Sequence, residues 1–132
     1  MWCGFPEQEL PLRPGPPHVA YTLAVARTVS GHAAMLAFTT SQPWPGTLPH
    51  GVLAFDAASA LAMGQTRAFV LDLRRLAYLP VTHAWFPRLG AERYGLLGRA
   101  AKPVRARINT VLAELLQRRP ELVTRAGPLW KG

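Results

Sequence analysis

Two spacings of apolar residues divide the chain into strand-like and helix-like parts. The stretches HVAYTLAVA, from His18, and AAMLAFTT, ending at Thr40, are almost continuously apolar and flank a turn signal at Ser30 and Gly31. They predict a hairpin of two strands, the first buried on both faces. VLAF, at 52–55, predicts a short third strand after a loop rich in proline and glycine.

The pattern changes twice more along the chain. AASALAMG, at 57–64, predicts a helical turn or two, and AFVLDLRRLAYLP, at 68–80, alternates with the period of a half-buried strand. THAWFPRLG, at 82–90, predicts a weaker strand, since a proline interrupts it. From Pro103 to Pro120, helical spacing relates Val104, Ile108, Val111, Leu112 and Leu115, which predicts one amphipathic helix.

Short strands followed by one terminal helix favour a mainly β fold with α, namely a small, strongly bent β-barrel with helical decoration. Residues 1–17 carry five prolines and are expected to form an N-terminal arm, which leaves 18–132 as the domain. Within the arm, 2–12 either form a short edge strand or leave the barrel incomplete. A chain of 132 residues suits one hydrophobic core.

The net charge of the chain indicates what kind of molecule it binds. Lys and Arg number 15 against 7 Asp and Glu, a net charge of +8, and all but two of the cations are arginines. Such a chain favours a polyanion as its partner, although a genome rich in GC would also enrich arginine. Without a membrane span or a secretory signal pattern, the expected compartment is the cytoplasm. One cysteine and four scattered histidines predict no metal site.

Motifs for several catalytic classes are missing from the sequence. It has neither the G-x-S-x-G elbow of hydrolases nor the phosphate-binding P-loop, and its carboxylates form no obvious pair. The chemistry left is that of arginine, hydroxyl groups and histidine. Three consecutive hydroxyl residues lie in FTTSQPWPG, at 38–46, where they end a strand and a tryptophan follows between two prolines.

Three stretches of the chain resemble the MazF/PemK toxin family. FTTSQPWPG followed by HGVLAF is similar to the family segment in which a strand ends on a threonine pair and a loop leads to the next strand. AMGQTRAFVLDLRRLAYLP is similar to its later arginine-bearing strand, and VRARINTVLAELL to its closing helix. The resemblance spans roughly residues 18–118. It implies a small SH3-like β-barrel with a C-terminal amphipathic helix.

The resemblance also implies a function, the toxin of a type II toxin–antitoxin system. Such a toxin is a homodimer that cleaves single-stranded RNA without a metal or other cofactor, and an acidic antitoxin protein covers its basic groove. In the family, an arginine and a threonine or serine stabilise charge on the phosphate while the ribose 2′-hydroxyl attacks it. The family's hydroxyl falls on Thr40, with Thr39 and Ser41 as neighbouring alternatives.

Trp44 is then placed to stack on an unpaired base. A structural interpretation of the same loop stays open: Thr39, Thr40 and Ser41 cap a turn, and Trp44 fills a gap beneath the loop. Arg74 and Arg75 are expected to contact phosphates from the edge of their strand, or to be solvated there. Trp85 and Phe86, by contrast, are expected in the core or at a dimer interface.

The family's arginine is missing, because His18 occupies its position. Three explanations are open: His18 transfers protons itself, an arginine such as Arg13, Arg27 or Arg67 reaches in from elsewhere, or the catalytic site has decayed. The third explanation gives the alternative function, a non-catalytic SH3-like module that binds nucleic acid or a protein.

Overall fold

The computed structural model of the protein describes residues 1–5, 14–15, 18–29, 31–89, 98–118 and 123–125. The structure is mainly β with a C-terminal helix, as the sequence pattern predicts. In chain order the elements are β1 (Trp2–Cys3), β2 (His18–Thr28), β3 (Gly31–Thr40), β4 (Val52–Phe55), α1 (Ala57–Ala62), β5 (Phe69–Pro80), α2 (Lys102–Arg118) and β6 (Val123–Arg125).

The sheet is built around the long β2–β3 hairpin and β5. Its strands lie in the order β1-β2-β3-β5-β4, all antiparallel to their neighbours, and β6 runs parallel to β5 beside β4. β4 pairs with the first half of β5 and β6 with the second half, so both cover the same edge of that strand. The described strands form an open sheet rather than a closed barrel.

Each face of the sheet carries its own hydrophobic core. On one face, the buried side chains of Ile108 and Leu115 from α2 pack with those of Leu71, Leu73 and Leu76 from β5. This confirms the predicted amphipathic helix, which begins at Lys102 rather than Pro103. Burying several leucine-sized side chains in this way contributes about 2 kcal/mol for each of them.

The other face is covered by residues near the N-terminus and by the segment after β5. Cys3, Phe5, Trp85 and Phe86 are buried there against the sheet, which confirms a core position for Trp85 and Phe86. Burial raises the pKa of the Cys3 thiol to about 12. In the arm predicted for residues 1–17, β1 pairs with His18 and Val19 as a two-residue edge strand.

Two predictions about the strands are wrong. The segment predicted as a strand at 82–90 forms successive turns over 81–89, in which Phe86 N–H donates to the Thr82 carbonyl at 2.8 Å. Its aromatic side chains serve as core anchors, and Pro87 lacks the donor that a strand would use. β2 is not buried on both faces either: Ala20 is its only buried residue, and residues 24–27 are exposed.

A bulge interrupts β5 where it passes β3. Ala37 pairs with Leu76, but the next residue of β3, Phe38, pairs with Asp72, so three residues of β5 loop out at 73–75. The Asp72 carboxylate accepts a hydrogen bond from the Arg74 N–H at 3.0 Å, and the Gly51 carbonyl accepts one from the Leu73 N–H at 2.8 Å. The bulge therefore changes the direction in which the side chains of Arg74 and Arg75 leave the strand.

α1 begins at an N-cap, because the Asp56 carboxylate accepts the Ser59 N–H at 2.8 Å. None of the helices in the described part of the chain is long and apolar enough to cross a membrane. Ser30, from the predicted hairpin turn, lies outside the described residues, whereas the neighbouring Gly31 has a φ of +144° that suits glycine.

Candidate functional site

The ring of Phe38 gathers side chains from three strands. The His18 imidazole stacks on it, with ring centroids 5.0 Å apart and planes within 6° of parallel. The Arg75 guanidinium, brought in by the bulge, lies 4.1 Å from the same ring centroid. Thr40 follows two residues later in β3 and therefore shares the face of Phe38. We call these four residues, His18, Phe38, Thr40 and Arg75, the Phe38 cluster.

The tautomer of His18 follows from its hydrogen bond. Nε2 of His18 contacts the backbone carbonyl oxygen of Thr39, and a carbonyl can only accept, so Nε2 carries the proton. In the neutral ring, Nδ1 is then the acceptor. His18 is thus held by one nitrogen and by ring stacking, while the other nitrogen has the lone pair that a general base needs.

The three predicted hydroxyl residues differ in position and bonding. Thr39 is buried, and its hydroxyl donates to the Val19 carbonyl at 2.6 Å, which ties β3 to β2. The Thr40 hydroxyl instead accepts a hydrogen bond from the Gln42 N–H at 3.1 Å, and this bond does not use the hydroxyl proton. Ser41 is exposed in the bend after the strand. Of the two threonines, Thr40 is the one whose hydroxyl can still donate to a ligand.

Trp44 and Arg74 hold the loop after β3 against the bulge. The Arg74 guanidinium lies 5.3 Å from the Trp44 ring centroid, and it donates to both carboxylate oxygens of Asp72, at 3.0 and 3.2 Å. The hydrogen bonds with Asp72 raise the pKa of Arg74 above its ordinary value. Trp44 is half-buried, so part of its surface packs and part faces solvent beside the cation.

The other predicted arginines lie elsewhere. Arg27 pairs with His32 at the turn end of the β2–β3 hairpin, far along the strand from Thr40. Arg67 is exposed just before β5, whose residue Val70 pairs with Thr40, so it lies at the same end of the sheet as the cluster. Arg13 lies outside the described residues. The arginine that contacts the same aromatic ring as His18 is therefore Arg75.

Arg75 was expected to contact phosphates, but its place over the Phe38 ring, on which His18 also stacks, was not predicted. The signal is the run Asp72-Leu73-Arg74-Arg75: an aspartate whose side chain bonds to the backbone two residues later favours a turn or bulge within the strand. A second phenylalanine, Phe5, also borders this arginine, with its ring centroid 5.3 Å from the guanidinium carbon. Arg75 is thus held between aromatic side chains from β3 and the N-terminal segment.

No three histidine, cysteine, aspartate or glutamate side chains come together as metal ligands within the described ranges. The cluster offers an imidazole, a hydroxyl and a guanidinium, which can move a proton and stabilise an anion. No family profile, curated protein or solved structure matches the chain. The resemblance to the MazF/PemK family stays a prediction from the residues quoted above.

Proposed function

We propose that the protein is an endoribonuclease that cleaves single-stranded RNA without a metal, as the toxin component of a type II toxin–antitoxin system. One observation carries the proposal: the β5 bulge brings Arg75 to Phe38, where His18 stacks and beside which Thr40 ends its strand. These are the types of group that phosphoryl transfer from RNA requires when no metal ion takes part. Arg75 then fills the role left open by the substitution of His18 for the family arginine.

Each group has one role in the reaction. Nδ1 of His18 takes the proton of the ribose 2′-hydroxyl, whose oxygen forms a new bond to phosphorus as the bond to the 5′-oxygen breaks. Arg75 and the Thr40 hydroxyl stabilise the charge that develops on the non-bridging oxygens. The proton held by His18 returns through solvent to the departing 5′-oxygen. The products are a 2′,3′-cyclic phosphate and a 5′-hydroxyl end, with no net loss or gain of atoms.

The fold and the net charge support the remaining features of the proposal, which are the type of barrel, the substrate and the protein partner. The open sheet with its C-terminal helix is interpreted as an SH3-like barrel of the MazF/PemK type whose described strands do not close, and the protein as a cytoplasmic homodimer. A net charge of +8 supports a polyanionic substrate and an acidic antitoxin as the protein partner. Trp44 contributes a stacking surface for a base, next to the cation of Arg74.

The test is cleavage of a labelled single-stranded RNA of mixed sequence in the presence of EDTA. The proposal predicts discrete fragments with 5′-hydroxyl and 2′,3′-cyclic phosphate ends. Arg75→Gln is expected to reduce the cleavage rate about 100-fold or more, the scale of a lost oxyanion donor. Arg27→Gln is the matched control, because it removes the same charge from an exposed position at the far end of the hairpin. Equal rates for the two variants would exclude the assigned role of Arg75.

A second candidate function is a non-catalytic module that binds RNA. The observation in its favour is that the Thr40 hydroxyl accepts the Gln42 N–H, as the turn-capping interpretation of this loop predicts. Under this alternative, the wild-type protein shifts RNA on a gel, with an affinity that falls steeply as salt rises, but leaves it intact. The EDTA assay separates the two functions, because only the endoribonuclease produces fragments.

A further inference from the structure

A cleft lies along β2 and the start of α2. It has a volume of about 890 Å³ and is bordered by Met1, by β2, by residues 98–100 and the start of α2, and by the segment between α1 and β5. This size is within the range of pockets that bind small organic ligands. Its principal side chains belong to Tyr21, Gln65, Phe69, Arg99, Arg105 and Asn109. We call it the α2 cleft.

The α2 cleft is distinct from the Phe38 cluster. None of the four residues of the Phe38 cluster lines the cleft, although Thr39, which lies between Phe38 and Thr40 in β3, does. The hydroxyl of Thr39 is already committed to the Val19 carbonyl. Catalysis at the Phe38 cluster therefore uses none of the cations or amides of the cleft.

The charge of the cleft favours an anionic ligand. Arg99 and Arg105 contribute to its lining, and none of the described residues that line it is a carboxylate. Arg105 lies near Tyr21: burial raises the pKa of this phenol above its ordinary value, and the positive charge of Arg105 partly opposes that rise. The phenol therefore keeps its proton at neutral pH, where it can donate a hydrogen bond. Asn109, one helical turn after Arg105, lies on the same side of α2.

The rest of the lining suits a flat, partly apolar body with polar edges. The buried side chains of Met63, Phe69 and Ala100 border the cleft, whereas the amides of Gln65 and Asn109 each offer a donor and an acceptor. Guanidinium groups bind phosphate with paired hydrogen bonds, and side-chain amides pair with the edges of nucleobases. We propose that the α2 cleft binds one nucleotide, with its phosphate on the arginines and its base between the apolar wall and the amides.

This proposal does not depend on RNA cleavage, since none of the proposed catalytic groups lines the cleft. The nucleotide is either a free nucleoside monophosphate or one unit of an RNA strand, and both have the same recognition chemistry. Calorimetric titration of the full chain with the four nucleoside 5′-monophosphates is the first experiment. We expect at least one to bind, and uridine or adenosine without phosphate, together with inorganic phosphate alone, to bind at least ten-fold more weakly.

Two variants of α2 distinguish binding in the α2 cleft from general attraction to positive charge. Arg105→Gln is expected to weaken monophosphate binding at least ten-fold. Arg107→Gln, an exposed arginine of α2 that does not line the cleft, is expected to leave the affinity unchanged while removing the same charge. Equal losses in the two variants, or no binding of any monophosphate at millimolar concentration, would overturn the proposal, because the attraction would then be general or absent.

A competition experiment identifies the source of the nucleotide. If a short single-stranded RNA displaces the bound monophosphate, and Arg105→Gln also weakens RNA binding, the cleft holds one unit of a strand. If the RNA does not displace it, the ligand is a free nucleotide. Thr40→Ala should leave monophosphate binding unchanged in both cases. The failure of RNA cleavage and the failure of the cleft to bind are thus observed separately.

Discussion

Thr39 and Thr40 are adjacent in the chain, yet their hydroxyls have opposite hydrogen-bonding roles. The Thr39 hydroxyl donates to the Val19 carbonyl at 2.6 Å, whereas the Thr40 hydroxyl accepts the Gln42 N–H at 3.1 Å. Thr39 is buried, and its hydroxyl links β3 to β2. Thr40 is the last residue of β3, and its hydroxyl proton can still be donated to a ligand, since the hydroxyl acts as an acceptor toward Gln42. This difference separates a structural threonine from the proposed catalytic one.

Thr39→Val should destabilise the fold while leaving the chemistry intact. Valine has nearly the same shape but removes the hydroxyl that donates to the partly buried Val19 carbonyl, at a cost of about 1 kcal/mol. Thermal unfolding should show a melting temperature lower by about 4 °C. Thr110→Val is the control, because the Thr110 hydroxyl also donates to a carbonyl, that of Ala106, but in an exposed position. We expect a smaller loss there, and RNA cleavage by both variants.

Gly51→Ala tests how tightly α2 packs on the bulge. Gly51 has a φ of +93°, and an added Cβ would lie 2.9 Å from Cδ2 of Leu115 and 3.2 Å from Cγ of Arg74. Gly46→Ala is the matched variant, since Gly46 has a φ of +82° but open space around the added Cβ. Gly46→Ala should cost about 1–2 kcal/mol of backbone strain. Gly51→Ala should cost at least about 1 kcal/mol more, because Leu115 is buried and has little room to move.

Urea unfolding of the two glycine variants measures this difference. Similar free energies of unfolding for Gly46→Ala and Gly51→Ala would contradict the packing of α2 against the loop before β4. The comparison also bears on the candidate site, since Gly51 accepts the Leu73 N–H within the bulge that carries Arg75.

Local sequence patterns predict most of the secondary structure of this chain, but not its bulge. The β2–β3 hairpin and α2 follow from runs and spacings of apolar residues within single segments. The bulge at 73–75 depends on bonds with Gly51 and with the Asp72 side chain, which strand periodicity does not encode. The segment 82–90 was predicted wrongly because Trp85 and Phe86, typical of strands, here anchor turns in a core.

The same limit applies to the candidate site. Thr40 and His18 were predicted from the resemblance, and the structure places His18 at the end of the sheet where Thr40 lies. Arg75 was assigned to phosphate contacts because a regular strand gives no reason for it to contact Phe38, the ring on which His18 stacks. Arg27 was a candidate on charge alone, although the hairpin register puts it at the opposite end of the strand. The sequence shows which residue types are available for the site. It does not show that Arg75 contacts the Phe38 ring, because that contact depends on the bulge in β5.

The N-cap of α1 predicts a pH-dependent contribution to stability. The hydrogen bond from the Ser59 backbone N–H lowers the pKa of Asp56 below its ordinary value. A carboxylate with a lowered folded-state pKa stabilises the protein above its unfolded-state pKa of about 3.9, and the contribution disappears as pH falls through the folded-state value. Asp56→Ala should therefore unfold at a lower temperature than wild type at pH 7, with a smaller difference at pH 3.

Asp56→Asn controls for charge in this experiment. Asparagine retains an oxygen that can accept the Ser59 N–H, so this variant should lie between wild type and Asp56→Ala at pH 7. A melting-temperature difference between wild type and Asp56→Ala that is the same at pH 7 and pH 3 would show that the carboxylate charge does not contribute to the cap.

The most direct test of the central claim is a paired measurement on Thr40→Ala: its single-turnover cleavage of RNA in EDTA, and its RNA affinity on the same substrate. The account predicts a rate at least about 100-fold below wild type with nearly unchanged affinity, because the hydroxyl acts mainly on charge that develops in the transition state. Thr40→Ser keeps a hydroxyl that can accept the Gln42 N–H and donate its own proton to the RNA, so this variant should retain most of the wild-type rate. A Thr40→Ala protein that cleaves as fast as wild type, or a wild-type protein that binds RNA and leaves it intact, would contradict the account.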